Sequence, residues 1–224
     1  MWIRIALLYA LTVTATEAAA QPSRGYAGGA MFVSTQDSHR QGEAPSLPRT
    51  GVGGATWGVG GEAGWYLTPS FTIGVEFVLP ARIESIQETD YFQIFQTENR
   101  YRDLTIATVA RVSTPKVGPV RLGVVGGWCQ IQESTFQRSR YMPGSTGTAV
   151  GTFGPWTLES TASRWTYGGL VGADLEVAAA PHVSVVPQFR MELIRRSQST
   201  QDALWYLGLS SVVFRPGVAV RATF

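Results

Sequence analysis

A carboxylate, a hydroxyl and an imidazole within reach of one another are the usual material of hydrolytic catalysis, and the chain offers one such run at Asp37, Ser38 and His39. Three consecutive residues in a polar stretch are not held in a reactive geometry, and catalysis depends on held geometry. The second histidine, His182, follows Pro181 in a short turn-like segment that falls on the opposite side of any regular fold of this chain, so the two cannot meet. No HExxH, GxSxG, phosphate-loop or CxxC pattern is present. The glycine runs 51–61 and 168–172 lack the strand-to-helix context of a nucleotide loop and are expected to let large side chains pass. The single cysteine, Cys129, has no partner for a disulfide and is not placed to carry a lipid. The expectation is a protein without catalytic residues, metal or cofactor.

The stronger chemical pattern is a set of charges in one phase. Glu62, Glu76, Asp174, Glu176 and Glu192 alternate with neutral residues in period two, as do Arg111, Arg121, Arg190, Arg215 and Arg221. Five acids and five bases on one side of a series of strands can neutralise one another, with guanidinium forks gripping carboxylates bidentately. The other phase carries no charge: Trp57, Val59, Ala63, Trp65 and Leu67 are followed by Phe71, Ile73, Val75, Phe77 and Leu79, and the pattern continues through Val124, Trp128, Trp165, Tyr167 and Val171 to Leu193.

Strands must position both sets. Alternation predicts eight, at about residues 24–35, 56–67, 70–79, 101–112, 120–132, 164–177, 183–194 and 207–224. Tight connections containing proline (68–69, 113–119, 178–182) alternate with long ones (37–55, 84–100, 134–163), so all long loops emerge at one end of an antiparallel meander. Pro187 and Pro216 sit inside predicted strands, where a closed ladder has no free edge to hide a missing donor; β-bulges or locally open pairing are expected there.

A soluble barrel would put the apolar phase inside and the charges in water. The alternative is the inverse, an apolar wall facing lipid around a charged interior, because only helices and closed barrels satisfy their backbone groups in a bilayer. No apolar stretch of about 18 residues follows the N-terminal segment, so any spanning is by strands. Trp57 and Trp65, eight positions apart on one face, are about 26 Å apart along a strand, or about 20 Å after a tilt near 40°, which suits aromatic girdles at the two rims of an apolar band. Trp65 and Phe71 are expected at the inner girdle, and Trp57, Trp128, Trp165 and Tyr167 nearer the outer one.

Residues 1–20 run from an early charge at Arg4 through an apolar stretch to Ala18, Ala19 and Ala20, predicting a secretory signal cleaved before Gln21, with 21–224 as one barrel domain. A net charge of +2 with 15% charged residues gives no basic patch and no expectation of nucleic acid.

The last strand, Leu207 to Phe224, alternates apolar Val212, Phe214, Val218 and Val220 with Arg215 and Arg221 and ends on an aromatic. It resembles the closing strand of bacterial outer-membrane barrels, and the mature chain resembles the OmpA-like and OmpX-like eight-stranded members. The resemblance implies an all-β, up-and-down transmembrane barrel in an outer membrane, termini in the periplasm. It also implies that the barrel assembly machinery reads Phe224 as a C-terminal signal. Porin-like conduction and a structural role for display of the long loops both remain open. A lipid-modifying enzyme or protease is the least favoured alternative.

Overall fold

The computed structural model describes residues 24–38, 54–91, 93–142, 153–195 and 209–224. The expected signal segment and much of the long connections lie outside these residues, and so do Leu207 and His39, while Asp37 and Ser38 close β1. Nine strands follow one another: β1 (Arg24–Ser38), β2 (Gly54–Thr68), β3 (Phe71–Pro80), β4 (Ile83–Tyr91), β5 (Gln93–Ser113), β6 (Val120–Tyr141), β7 (Leu158–Ala180), β8 (Val183–Arg195) and β9 (Leu209–Thr223). Consecutive strands pair antiparallel, except that β3 and β4 do not pair with each other. β9 returns to pair with β1, and β3 pairs with β5, closing a ring of eight strands. Gly25 and Phe224 complete the closure by exchanging both backbone hydrogen bonds, at 2.8 and 2.9 Å. A closed ring leaves no edge along its wall.

The ninth strand corrects the expectation of a loop at 84–100. The strand that leaves β3 breaks at Pro80, then resumes as β4 to form a hairpin with the first half of β5. Val78 pairs with Thr105 and Ile83 with Tyr101, so one extra residue is accommodated on the β3–β4 side. This is a bulge seeded by a residue that cannot donate to the ladder. The predicted loop 134–163 is likewise shorter than expected, because β6 runs on to Tyr141 and β7 starts at Leu158. Polar strands such as ESTFQRSR lack the apolar alternation that marks a half-buried wall. They are strand because neighbouring strands propagate the ladder beyond the barrel. β4 to β7 therefore continue past the ring as a sheet.

No register shift occurs at Pro187 or Pro216. The shifts fall instead near the strand ends, at 36–38, 66–68 and 178–180. The prolines interrupt pairing without shifting it: β7–β8 pairs stop at Asp174–Gln188 and resume in the same register at Val177–Val185, and β1–β9 pairs stop at Phe32–Gly217 and resume at Thr35–Phe214. Each proline loses one bond to one neighbour and keeps its place opposite the other, Pro187 opposite Val218 and Pro216 opposite Phe189.

Candidate functional site: the ion network of the lumen

The alternating residues sort as the phases dictate. Met31, Trp57, Trp65, Val124, Trp128, Trp165, Tyr167, Phe214 and Val220 are exposed on the outside, and Phe71 is half-buried there. On the inside Glu62, Glu76, Arg111, Asp174, Arg190, Glu192, Arg215 and Arg221 are buried.

Six of these form one cluster around Tyr26. Arg111, on β5, donates from Nε to Asp174 Oδ2 at 2.6 Å, from Nη1 to the Tyr26 hydroxyl at 3.0 Å, and from Nη2 to Glu62 Oε2 at 3.2 Å and Glu76 Oε1 at 3.4 Å. Arg190, on β8, forks onto Glu76 through Nε (3.0 Å) and Nη2 (2.7 Å) and reaches Asp174 Oδ1 at 2.6 Å. Arg221, on β9, forks onto Glu62 at 2.9 and 3.0 Å. The Tyr26 ring lies under the guanidinium carbons of Arg111 and Arg221, at 5.5 and 5.0 Å. Three arginines thus face three carboxylates drawn from β2, β3 and β7, all removed from water. Desolvating such groups is very costly unless each is paired and hydrogen-bonded, and here each is.

Glycine makes the space. A Cβ at Gly64 would stand 2.7 Å from the Tyr26 hydroxyl, and one at Gly74 2.4 Å from it. The ring therefore fits across the lumen because β2 and β3 present no side chains at those two positions.

A second cluster centres on Arg215, which donates from Nη2 to Asp103 Oδ2 at 2.7 Å, from Nη1 to Glu192 Oε1 and to Thr105 Oγ1 at 3.2 Å, and from Nε to Ser34 Oγ at 3.3 Å. A third lies farther along the lumen, where Arg164 Nε donates to Glu133 Oε2 at 2.8 Å and the Tyr101 hydroxyl donates to Glu133 Oε1 at 3.0 Å. Between the first two clusters is a cavity of about 20 Å³ lined by Phe32, Gly60, Glu76, Gln188, Arg190 and Arg215. That is room for about one water molecule.

Two of the ten charges sit apart. Arg121 stands opposite Glu176 in the β6–β7 register, but its buried Nε has no hydrogen-bond partner. Glu176 lies 3.6 Å from Arg221 Nη1, an ion-pair distance without a hydrogen bond. Asp103, Glu133 and Arg164 were not foreseen. Asp103 shares the inward phase of Arg111 on β5, and Glu133 that of Arg121 on β6, so following each phase to the end of its strand finds both. The interior is also less uniformly polar than the alternation implies: Ala107, Val109, Val125, Cys129, Ile131, Leu170, Ile194 and Val213 form a buried apolar cluster on one side of the lumen. Cys129 lies within it as a free thiol.

Beyond the ring, the extended sheet has its own clasp. Glu98 accepts from Arg100 Nε and Arg138 Nε, each at 2.6 Å, while Arg138 and Arg140 stack on Trp156 at 4.4 and 4.5 Å. Burial alone would raise the Glu98 carboxyl, but the two arginines outweigh it and hold it below the ordinary 4.5. A carboxyl depressed in the folded state contributes stability that is present above its unfolded value and lost as pH falls through the folded one. Trp156 fluorescence should therefore be flat above about pH 4.5 and change below it. Glu98→Gln should remove that transition; an identical transition in the variant would show that another group titrates.

No protein-family profile matches the chain, and no curated protein matches it. Among solved structures it is similar to Neisserial surface protein A (13% identity, TM-score 0.47, covering 91% of this chain and 100% of that one). It is also similar to the N-terminal β-barrel domain of Pseudomonas aeruginosa OprF (11%, 0.44, 91% and 100%). A third similar structure is Ail, the attachment invasion locus protein of Yersinia pestis, in complex with the heparin analogue sucrose octasulfate (10%, 0.42, 91% and 100%). At these identities the likeness is one of fold alone. The architecture resembles the OmpA-like and OmpX-like eight-stranded barrels.

Proposed function

We propose that the chain is a bacterial outer-membrane protein: a barrel plugged by its own side chains, which anchors the extended sheet and long loops as a surface for interaction outside the cell. The observation that supports this most directly is the inversion of the wall. Large apolar side chains such as Trp57 (63% exposed) and Val124 (68%) face outward, while Arg221 (1%) and Glu192 (0%) face inward. Water outside would leave the apolar face unburied and the interior charges desolvated for no return; lipid outside accounts for both.

In this reading the termini and the tight turns lie on the periplasmic side, and β4–β7 project outward. Trp65 and Phe71 belong to the inner girdle and Trp57, Trp128, Trp165 and Tyr167 to the outer part of the band. The lipid bilayer is the first partner. The barrel assembly machinery is the second, engaging the last strand through Phe224, which is 71% exposed. An eight-stranded barrel has an interior just wide enough to be filled by side chains, and the paired charges fill this one.

The protein should fractionate with outer membranes and migrate faster on gels before boiling than after. Recovery in the soluble fraction of a detergent-free extract would sink the proposal.

A further inference from the structure

We propose that the upper edge of the outward face binds phosphate groups of lipid headgroups in the outer leaflet, through a collar built on Arg82 and Arg102. The proposal rests on the outer-membrane reading above.

The bulge at Pro80 creates the first part of the collar. On β3 the even residues Thr72 and Glu76 point into the lumen, and Leu79 belongs to the outward phase. After the extra residue, Ile83 pairs with the inward Tyr101, so the adjacent Arg82 is exposed on the outer face, at the position next to Arg102. Among the described residues neither arginine has an acidic partner, and Arg102 Nε is shielded from solvent without a hydrogen bond. Two arginines at neighbouring register positions place like charge together and carry donors that an anion can use. A shared anion would satisfy both.

The row continues across the sheet. Arg102 pairs with Ser134, and Ser134 with Ser163, whose hydroxyls are 3.5 Å apart. Directly beneath, Leu104 pairs with Gln132 and Gln132 with Trp165, which marks the top of the apolar wall. Directly above come Glu84 and Arg100, an ion pair at 3.4 Å. Carboxylates thus begin one rung higher, and among the described residues the rung at the apolar border holds cations and hydroxyls. At the end of β8, Arg195 sits two rungs lower, paired with Tyr167 across the ladder and donating to the Tyr167 hydroxyl at 3.1 Å.

Guanidinium suits this place because its planar fork matches phosphate oxygens. Depth selects the source of the phosphate. A group whose acyl chains lie along Leu104, Ile106 and Trp165 brings its headgroup to this rung, whereas a free anion gains nothing from the wall below.

The test compares binding of diphosphoryl lipid A and dephosphorylated lipid A to the folded full chain in detergent, by native mass spectrometry, with insertion into phosphatidylcholine vesicles as the control of fold. The wild type should prefer the phosphorylated lipid about tenfold, as two charge-assisted hydrogen bonds allow. That preference should fall to near unity in the double variant R82Q/R102Q and largely survive in R82K/R102K. R102Q alone should show a partial loss, and it serves if the double variant fails to insert. An undiminished preference in R82Q/R102Q overturns the collar. So does displacement of the lipid by inorganic phosphate at millimolar concentration, which would make the site one for free anions. A wild type that inserts into no vesicle overturns the outer-membrane reading itself; one that inserts and shows no phosphate preference overturns the collar alone.

Discussion

Arg111→Ala should destabilise the folded barrel by about 3 to 5 kcal/mol, because it removes one cation from a desolvated network and strands the carboxylates it served. Asp174 would keep Arg190 and a longer contact to Arg221 at 3.4 Å, but it would lose one of its two donors at 2.6 Å. Glu62 and Glu76 would each lose a second donor, and the Tyr26 hydroxyl would lose the guanidinium that donates to it at 3.0 Å. Arg121→Ala is the control on the same face. Its Nε has no hydrogen bond to lose, so the cost should be less than half as large. Urea unfolding in vesicles, with heat-shifted gel mobility as the index of folded barrel, measures both. Equal costs would mean that the network contributes no more than a generic interior arginine.

The second large effect concerns the other face. Val124 is 68% exposed on the outer wall and Val117 78% exposed in the turn between β5 and β6. Exposure alone would make arginine equally tolerable at the two sites. In lipid, Val124→Arg should cost about 2 to 4 kcal/mol and Val117→Arg about 0 to 1, because the penalty follows depth in the hydrocarbon. Matching values in vesicles would mean that Val124 does not face acyl chains.

Much of this was legible in the chain because a barrel wall writes itself in period two. The apolar phase of β2, β3 and β8 and the charged phase of Glu62, Arg190 and Arg215 are fixed by one rule, and a one-residue slip would have exchanged every side chain between faces. What the alternation left out are places where that rule does not act. Outside the bilayer neither face of the sheet needs to be apolar, so the upper halves of β5, β6 and β7 read as loops. The bulge at Pro80 changes phase within one residue, which hides the orientation of Arg82. Tyr26 belongs to the site through glycines on two other strands, and such a fit is invisible until β2 and β3 are placed beside β1. Of the two outcomes expected at Pro187 and Pro216, a bulge or locally open pairing, the second holds: each removes a single donor toward one neighbour, and the register on the other side carries the strand through.

The central claim is that the lumen is closed by its own ion pairs, and single-channel recording in a planar bilayer tests it most directly. Wild-type barrels, inserted and verified by heat-shifted mobility, should show no steady conductance, and Arg111→Ala should raise the frequency of brief openings by loosening the layer around Tyr26. A large, stable conductance from the wild type would contradict the plugged lumen and make the protein a diffusion pore.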